Sequence, residues 1–257
     1  MNDEQIYRKF HALCLEAYEP GNRDTFCVGS DRGFLLYEGN ELHVVIAGSN
    51  DLMDWVSDGG NVRFTSCELQ RGFNVHGGML AAAEGIAKEI GKEIVQFLEG
   101  NVQRTVTFAG HSRGGGIAQI IPVLMGLSLT RFCVITFAAP RVFSGNLAQH
   151  CAPSTCLHFQ RWNDVATMVP IDIPGHDFRH SGRRVRLEFG SIRSLGADYR
   201  PGVLSVTCLI LAVVSVILVG RMRTWLPVFR RRPLVSWIVD AHSMVGGYSP
   251  AKWFGEK

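Results

Sequence analysis

Gly110-His111-Ser112-Arg113-Gly114 is the stretch of this chain with the clearest chemical meaning. An apolar β-type run, Thr105 to Ala109, leads into it and a helical pattern, Gly115 to Leu127, leads out, so the five residues form a sharp strand-to-helix turn. Glycines flank such a turn because a side chain at either position would collide with the neighbouring strand or helix, and the serine between them is pushed into the open at the helix N-terminus. A serine hydroxyl alone is a weak nucleophile; it needs an imidazole to take its proton and a carboxylate to orient that imidazole. An ordinary Gly-rich loop is the other reading of these five residues, and the flanking strand and helix favour the catalytic one.

On a strand-turn-helix nucleophile of this kind the acid and then the base are expected downstream. The acids there are Asp164, Asp172, Asp177, Asp198, Asp240 and Glu188; the histidines are His150, His158, His176, His180 and His242. Asp164 stands just past a predicted strand, where loops at the carboxyl ends of an open sheet build sites. His242 lies late enough to be the base, with His180 its main rival. His111 and His76 read as hydrogen-bonding or capping residues.

Several elements must position these groups. Ile6, Phe10, Leu13 and Ala17 form the apolar stripe of an amphipathic helix ended by Pro20-Gly21. Phe34 to Tyr37 and Leu42 to Ala47 read as strands joined by a tight turn at Glu38-Gly39-Asn40. Gly77 to Glu99 has the spacing of a long helix, and Phe132 to Phe137, Cys156 to Arg161 and Val185 to Phe189 read as further strands. Strands alternating with helices predict an α/β architecture, a mostly parallel sheet flanked by helices, in a single domain spanning residues 1–257.

Composition narrows the function classes. With 46% hydrophobic and 19% charged residues over 257 positions, the chain can bury a full core, which excludes a disordered tail or a disulfide-stapled miniprotein. Seven Cys without Cys-x-x-Cys spacing indicate neither zinc nor a disulfide framework, and a reducing compartment is expected. Met1 to Phe10 carries no apolar run resembling a secretory signal, so the expected location is cytoplasmic. The net charge of +3 is unevenly placed: Arg179 to Arg232 holds 11 Arg and no Lys against only Glu188 and Asp198. Within it lies Val203 to Val219, 17 uncharged residues framed by Pro201-Gly202 and Gly220. As a helix this segment would reach roughly 25 Å, short of the roughly 30 Å hydrocarbon core, so residues 201–220 are expected to form a hydrophobic helical insertion, either buried or in contact with a membrane. An apolar run beside the Arg cluster favours a lipid surface over a nucleic acid, which is not an expected partner.

Further stretches, taken together, resemble the class 3 lipases, the fungal-lipase-like triacylglycerol lipases of the α/β-hydrolase superfamily. Val45 to Ser49, continuing through Asp54-Trp55-Val56-Ser57-Asp58, is similar to that family's oxyanion strand and D-W-x-x-D segment. Val75-His76-Gly77-Gly78-Met79 resembles its V-H-x-G-F helix start, and Ala109 to Ala118 its G-H-S-L-G-G elbow. Thr136 to Val142, Asn163 to Pro170 and Phe178 to Leu187 resemble its T-F-G-x-P-R-V, N-D-x-V-P-x-L-P and H-P-G-x-E-V motifs. The resemblance implies Ser112 as nucleophile, Asp164 as acid and His242 as base, with Ser49 and the Arg113 backbone N–H as oxyanion donors. It implies no metal or organic cofactor and a lid between Asp51 and Asn74, a stretch that reads equally well as a packed surface loop. The sequence departs from the family pattern at Ala47, Arg113 and Ala138, and no clear pattern remains between Leu187 and His242.

A single membrane crossing by Val203 to Val219 would leave Ser112 and Asp164 on one side and His242 on the other, so it is incompatible with the triad. The expected arrangement is monotopic, with the apolar segment and its Arg residues holding the site against a membrane surface. The expected function is a serine esterase acting on lipid esters, of lipase or phospholipase A type, through an acyl-enzyme. The rival is an inactive membrane-associated interaction or lysis protein on the same scaffold.

Overall fold

The apolar runs that punctuate the chain are strands covered on both faces. In a computed structural model the residues described are 1–19, 25–48, 66–69, 73–144, 148, 155–161, 163–170, 178–188, 191–195, 240, 242–245 and 247–254. The elements begin with α1 (Asp3–Glu16), β1 (Thr25–Val28), β2 (Asp31–Glu38), β3 (Glu41–Ile46), β4 (Ser66–Leu69), β5 (Phe73–His76) and α2 (Gly77–Glu99). They continue with β6 (Thr105–His111), α3 (Ser112–Leu124), β7 (Phe132–Phe137), β8 (Phe143–Ser144), β9 (Cys156–Arg161) and a 3-10 turn (Val165–Met168). Last come β10 (Phe178–Arg179), β11 (Arg183–Glu188), β12 (Ser191–Leu195) and α4 (Pro250–Phe254).

Eight strands form the main sheet in the order β1-β2-β3-β6-β7-β9-β11-β12. The centre is parallel, β3 to β6 to β7 to β9 to β11, and the edges are antiparallel: β1 on β2, β2 on β3 and β12 on β11. The sheet is thus mixed rather than mostly parallel. Turn length is the reason: β1 and β2, then β2 and β3, are joined by two-residue turns carrying Gly29 (φ 63°) and Gly39 (φ 61°), and such turns can only reverse the chain. Parallel neighbours need longer crossovers, which α2 and α3 supply for β6 and β7.

Side chains alternate across each strand, which sorts the core into two layers. Val44, Ile46, Val106 and Phe108 face one way, against Met79, Ile86, Ile90 and Ile94 of α2 and Ile117, Ile120 and Ile121 of α3. Val45, Ala47, Ala109, Ile135, Phe137 and Phe159 face the other way, against Tyr7, Phe10 and Leu13 of α1 and Tyr248 and Trp253 near the C-terminus. Full burial of each large apolar side chain contributes roughly 1.5–3 kcal/mol, so covering both faces explains why the strands read as unbroken hydrophobic runs. Helix α1 starts at a reciprocal cap in which Asn2 accepts from the Gln5 N–H and the Gln5 side chain accepts from the Asn2 N–H.

A second sheet, β10-β8-β5-β4, was not anticipated. Its β4–β5 hairpin occupies part of the stretch read as a lid, pairing Ser66 with His76 and Leu69 with Phe73. The expected helical insertion at residues 201–220 lies outside the described residues, and among those described no helix is long and apolar enough to cross a membrane.

Candidate active site

Strand β6 delivers His111 and Ser112 to the carboxyl edge of the parallel strands, and α3 begins at Ser112 itself. Ser112 has φ 53°, in the left-handed region that a side chain adopts only when its surroundings enforce it. The enforcing contacts are backbone. A Cβ on Gly110 would stand 2.5 Å from the Gly114 carbonyl carbon, and one on Gly114 would stand 2.5 Å from the Ala47 carbonyl oxygen. Only hydrogens at both positions let β3, β6 and α3 meet this closely, which is the physical content of the glycine spacing. The N–H groups of Ser112 and Arg113 fall in the first turn of α3, where helix geometry leaves them without intrahelical acceptors and aimed outward from a positive helix end.

Asp164 follows β9 and caps the 3-10 turn, accepting from the Ala166 N–H at 3.0 Å. It has no solvent exposure, and every bond to its carboxylate comes from a defined donor. His242 Nδ1 lies 2.9 Å from Oδ1 and 3.1 Å from Oδ2, and the Tyr248 hydroxyl donates to Oδ2 at 2.7 Å. With Nδ1–H given to the carboxylate, the tautomer leaves Nε2 of His242 as the lone-pair nitrogen. That atom is buried and has no hydrogen-bond partner among the described residues, Ser112 included. Serine–imidazole contacts of this kind commonly shorten only when substrate arrives.

The other histidines sort themselves by their partners. His180, the rival base, gives Nε2 to the Thr167 carbonyl at 2.9 Å and makes no bond to the Asp164 carboxylate. It lies beside His158 in a buried polar cluster with Thr136, Cys156 and Ser181, and burial holds the imidazoles of His158 and His180 far below their ordinary pKa. His76 caps α2, accepting from the Met79 N–H. His111 is wholly interior: its Nδ1 accepts from the Tyr18 hydroxyl at 2.6 Å and its Nε2–H donates to the His242 carbonyl at 2.8 Å, the two rings lying 4.7 Å apart. Burial, then the neighbouring His242, keeps the His111 imidazole neutral.

Of the two oxyanion candidates, Ser49 lies outside the described residues. Arg113, one of the departures from the family pattern, turns its guanidinium to Asp31 at the start of β2 in an ion pair. Ala138, where the family pattern tends to Gly, has φ 53°, the conformation that makes glycine the easier residue there. Sequence reasoning missed Tyr18 and Tyr248. No local pattern marks either, because their partners lie 93 and 84 residues away along the chain. Among the described residues, Glu38, Glu41 and His43 are the one group close enough to hold a metal ion. They cluster at the opposite end of β3, and the Lys9 ammonium already sits among them, 2.6 Å from Glu38 and 2.9 Å from His43.

A parallel-centred sheet flanked by helices, with a strained serine at a strand-to-helix turn and a carboxylate–imidazole pair on later loops, defines an α/β-hydrolase-like fold. The model of the class 3 lipase family matches residues 43–173, about half of the chain, and the chain belongs to that family. Solved structures with the same fold include the triacylglyceride lipase of Rhizomucor miehei, with TM-score 0.65 and 17% identity over 78% of this chain and 88% of that one. A lipase of Rhizopus microsporus var. chinensis gives TM-score 0.68 and 18% identity over 80% and 82%. Lipase II of Rhizopus niveus gives 0.65 and 20% over 75% and 83%. At these identities the likeness concerns the fold alone. The secreted mono- and diacylglycerol lipase 1 of Fusarium solani is 25% identical over 154 residues, 59% of this chain; the chain spans only 45% of that relative's length.

The cytoplasmic expectation is corrected by that last comparison, since the relative is a secreted enzyme. The N-terminal residues were a poor guide because they form α1, whose Tyr7, Phe10, Leu13 and Cys14 are buried; core packing rather than targeting dictates their composition.

Proposed function

We propose that this chain is an extracellular serine hydrolase that cleaves carboxylic esters of lipids, with Ser112 as nucleophile, His242 as base and Asp164 as its orienting acid. The observation that carries the reading is the Asp164–His242 hydrogen bond, with the His242 ring 4.7 Å from that of His111, the residue before a strained Ser112 that opens α3. His242 Nε2 takes the Ser112 proton as Oγ attacks the ester carbonyl. The resulting oxyanion is met by the Arg113 N–H and by Ser49; one such donor is typically worth about 2.7 to 4 kcal/mol in the transition state. The proton returns to the leaving alcohol, and a water activated by the same imidazole releases the acid from the acyl-enzyme.

The substrate class follows the named relatives: acylglycerols, with mono- and diacylglycerols first. A phospholipid acyl ester is the second reading, favoured by the 11 Arg of residues 179–232 around the apolar run 203–219, a combination suited to holding one domain, residues 1–257, against an anionic surface. Fatty-acid release from dispersed diacylglycerol and from phosphatidylglycerol vesicles, with Ser112→Ala beside the native protein, tests both. Release from either that Ser112→Ala abolishes supports the hydrolase and names the substrate. Folded native protein that releases nothing from either supports the inactive-scaffold rival.

A further inference from the structure

The described residues of the base-bearing segment, 240, 242–245 and 247–254, are tied to the fold by side chains that reach its carbonyls as well as by the bonds to Asp164 and the core packing of Met244, Tyr248 and Trp253. Tyr7 Oη donates to the Tyr248 carbonyl at 2.5 Å, His11 Nε2 to the Met244 carbonyl at 2.8 Å, and His111 Nε2 to the carbonyl of His242 itself at 2.8 Å. Of these donors only His111 lies within residues 43–173, the span that matches the family model.

Tyr18, just beyond α1, occupies a particular place in this set. Its hydroxyl donates to His111 Nδ1 at 2.6 Å. Gly48, the last described residue before Ser49, presents its backbone to the same hydroxyl, and a Cβ there would lie 3.1 Å from Ser112 Cβ and 2.7 Å from the His111 carbonyl oxygen. One half-buried tyrosine therefore touches, through its hydroxyl, the end of the oxyanion strand and, through one imidazole, the main chain of the base. The polarity of the chain is determined: a carbonyl can only accept, so His111 carries its proton on Nε2, and its Nδ1 must accept from Tyr18. Neither residue reaches the reacting atoms.

Resting on the reading of Ser112 and His242 given above, we propose that Tyr18 and His111 are positioning residues, a two-link hydrogen-bonded strut from the Gly48 end of β3 to the carbonyl of His242 that holds the oxyanion strand and the base in register across Ser112. The strut acts on the transition state, when serine, imidazole and oxyanion donors must align together, more than on substrate binding. Misplacement by about 1 Å costs up to about 100-fold in such reactions.

The test is the rate of Ser112 modification by a fluorophosphonate, together with kcat and KM on a soluble short-chain ester, for native protein, Tyr18→Phe, His111→Gln and His111→Leu, each checked for native-like melting. Tyr18→Phe keeps the ring and removes only the hydroxyl; the expected result is labelling and kcat slower by about 10- to 100-fold with KM unchanged. Gln retains one donor and one acceptor, so His111→Gln is expected to keep more of the rate than His111→Leu. A folded Tyr18→Phe that labels at the native rate overturns the proposal, as does a loss expressed only in KM. If His111→Leu does not fold, Tyr18→Phe decides alone. Native protein that is itself unlabelled refutes the reading of Ser112 and this proposal with it, whereas labelled native protein with an equally fast Tyr18→Phe refutes the strut alone.

Discussion

The Tyr248 hydroxyl and the His242 imidazole divide the Asp164 carboxylate between them, one at 2.7 Å on Oδ2 and the other at 2.9 Å on Oδ1. The same tyrosine oxygen accepts from the Arg161 N–H at 3.0 Å, and the tyrosine's own carbonyl accepts from Tyr7. A buried carboxylate is tolerable only when donors surround it, and here those donors also fix its rotation toward the imidazole.

Tyr248→Phe is therefore expected to cost about 1.5 to 3 kcal/mol of stability, the usual worth of a hydrogen bond to a charged group, and to lower kcat by leaving the carboxylate free to rotate. Urea midpoints and steady-state rates on the two proteins measure both effects. A variant as stable and as fast as the native chain would show that Ala166 and His242 suffice to hold Asp164.

Arg113 and Asp31 form a half-buried ion pair behind the nucleophile turn. Asp31 is 8% exposed, so Arg113→Leu leaves a largely desolvated carboxylate without its cation. The expected loss is about 1–3 kcal/mol, recovered in part when Asp31→Asn is added. A double-mutant cycle by urea unfolding reads the coupling; purely additive losses would mean that the pair contributes nothing to the fold.

Acid should destabilise the protein well above the carboxylate range. Burial lowers the pKa of His11, His43, His111, His158 and His180, with His158 brought to about 4. These imidazoles stay neutral in the folded chain at pH values where the unfolded chain protonates them, so the unfolded state binds more protons and stability falls as pH drops below 6.5. For His158 the fall amounts to roughly 3 kcal/mol by the time its own folded pKa is reached. Melting temperatures across that range, with His158→Gln expected to flatten the slope, measure it; a native protein equally stable at about pH 7 and about pH 5 would contradict it.

Much of this architecture was legible because its signals are local. The β6–α3 turn, the bounds of α2 and the strands at residues 132–137 and 156–161 follow from periodicity and glycine spacing, and Asp164 follows from its place after a strand. The small sheet was not legible, since β8 and β10 are two residues long and exist only through pairing with partners far along the chain. Of the antiparallel edges, the β2–β3 pair was legible in the tight turn at Glu38-Gly39-Asn40, whereas β1 and β12, four and five residues long, were not read as strands. His242 follows a stretch with no clear family pattern, and its place comes from donors on Tyr7, His11 and His111, separated from their acceptors by 241, 233 and 131 residues. Such contacts leave no mark on local spacing.

Surface attachment has its own test. If the Arg-rich, apolar region holds the protein on an anionic membrane, sedimentation with phosphatidylglycerol vesicles should weaken as salt is raised and should drop when residues 201–220 are deleted from a chain that still folds. Unchanged sedimentation in the deletion would remove that region from the account.

The central claim is that Ser112 is a nucleophile activated by His242 and Asp164. Mass-spectrometric location of a fluorophosphonate adduct tests it most directly. The account predicts one adduct per native chain, on Ser112, absent in Ser112→Ala and formed far more slowly in folded His242→Ala and Asp164→Ala. A folded native chain that takes no adduct, or one whose Ser112 reacts as fast without His242 as with it, would contradict it.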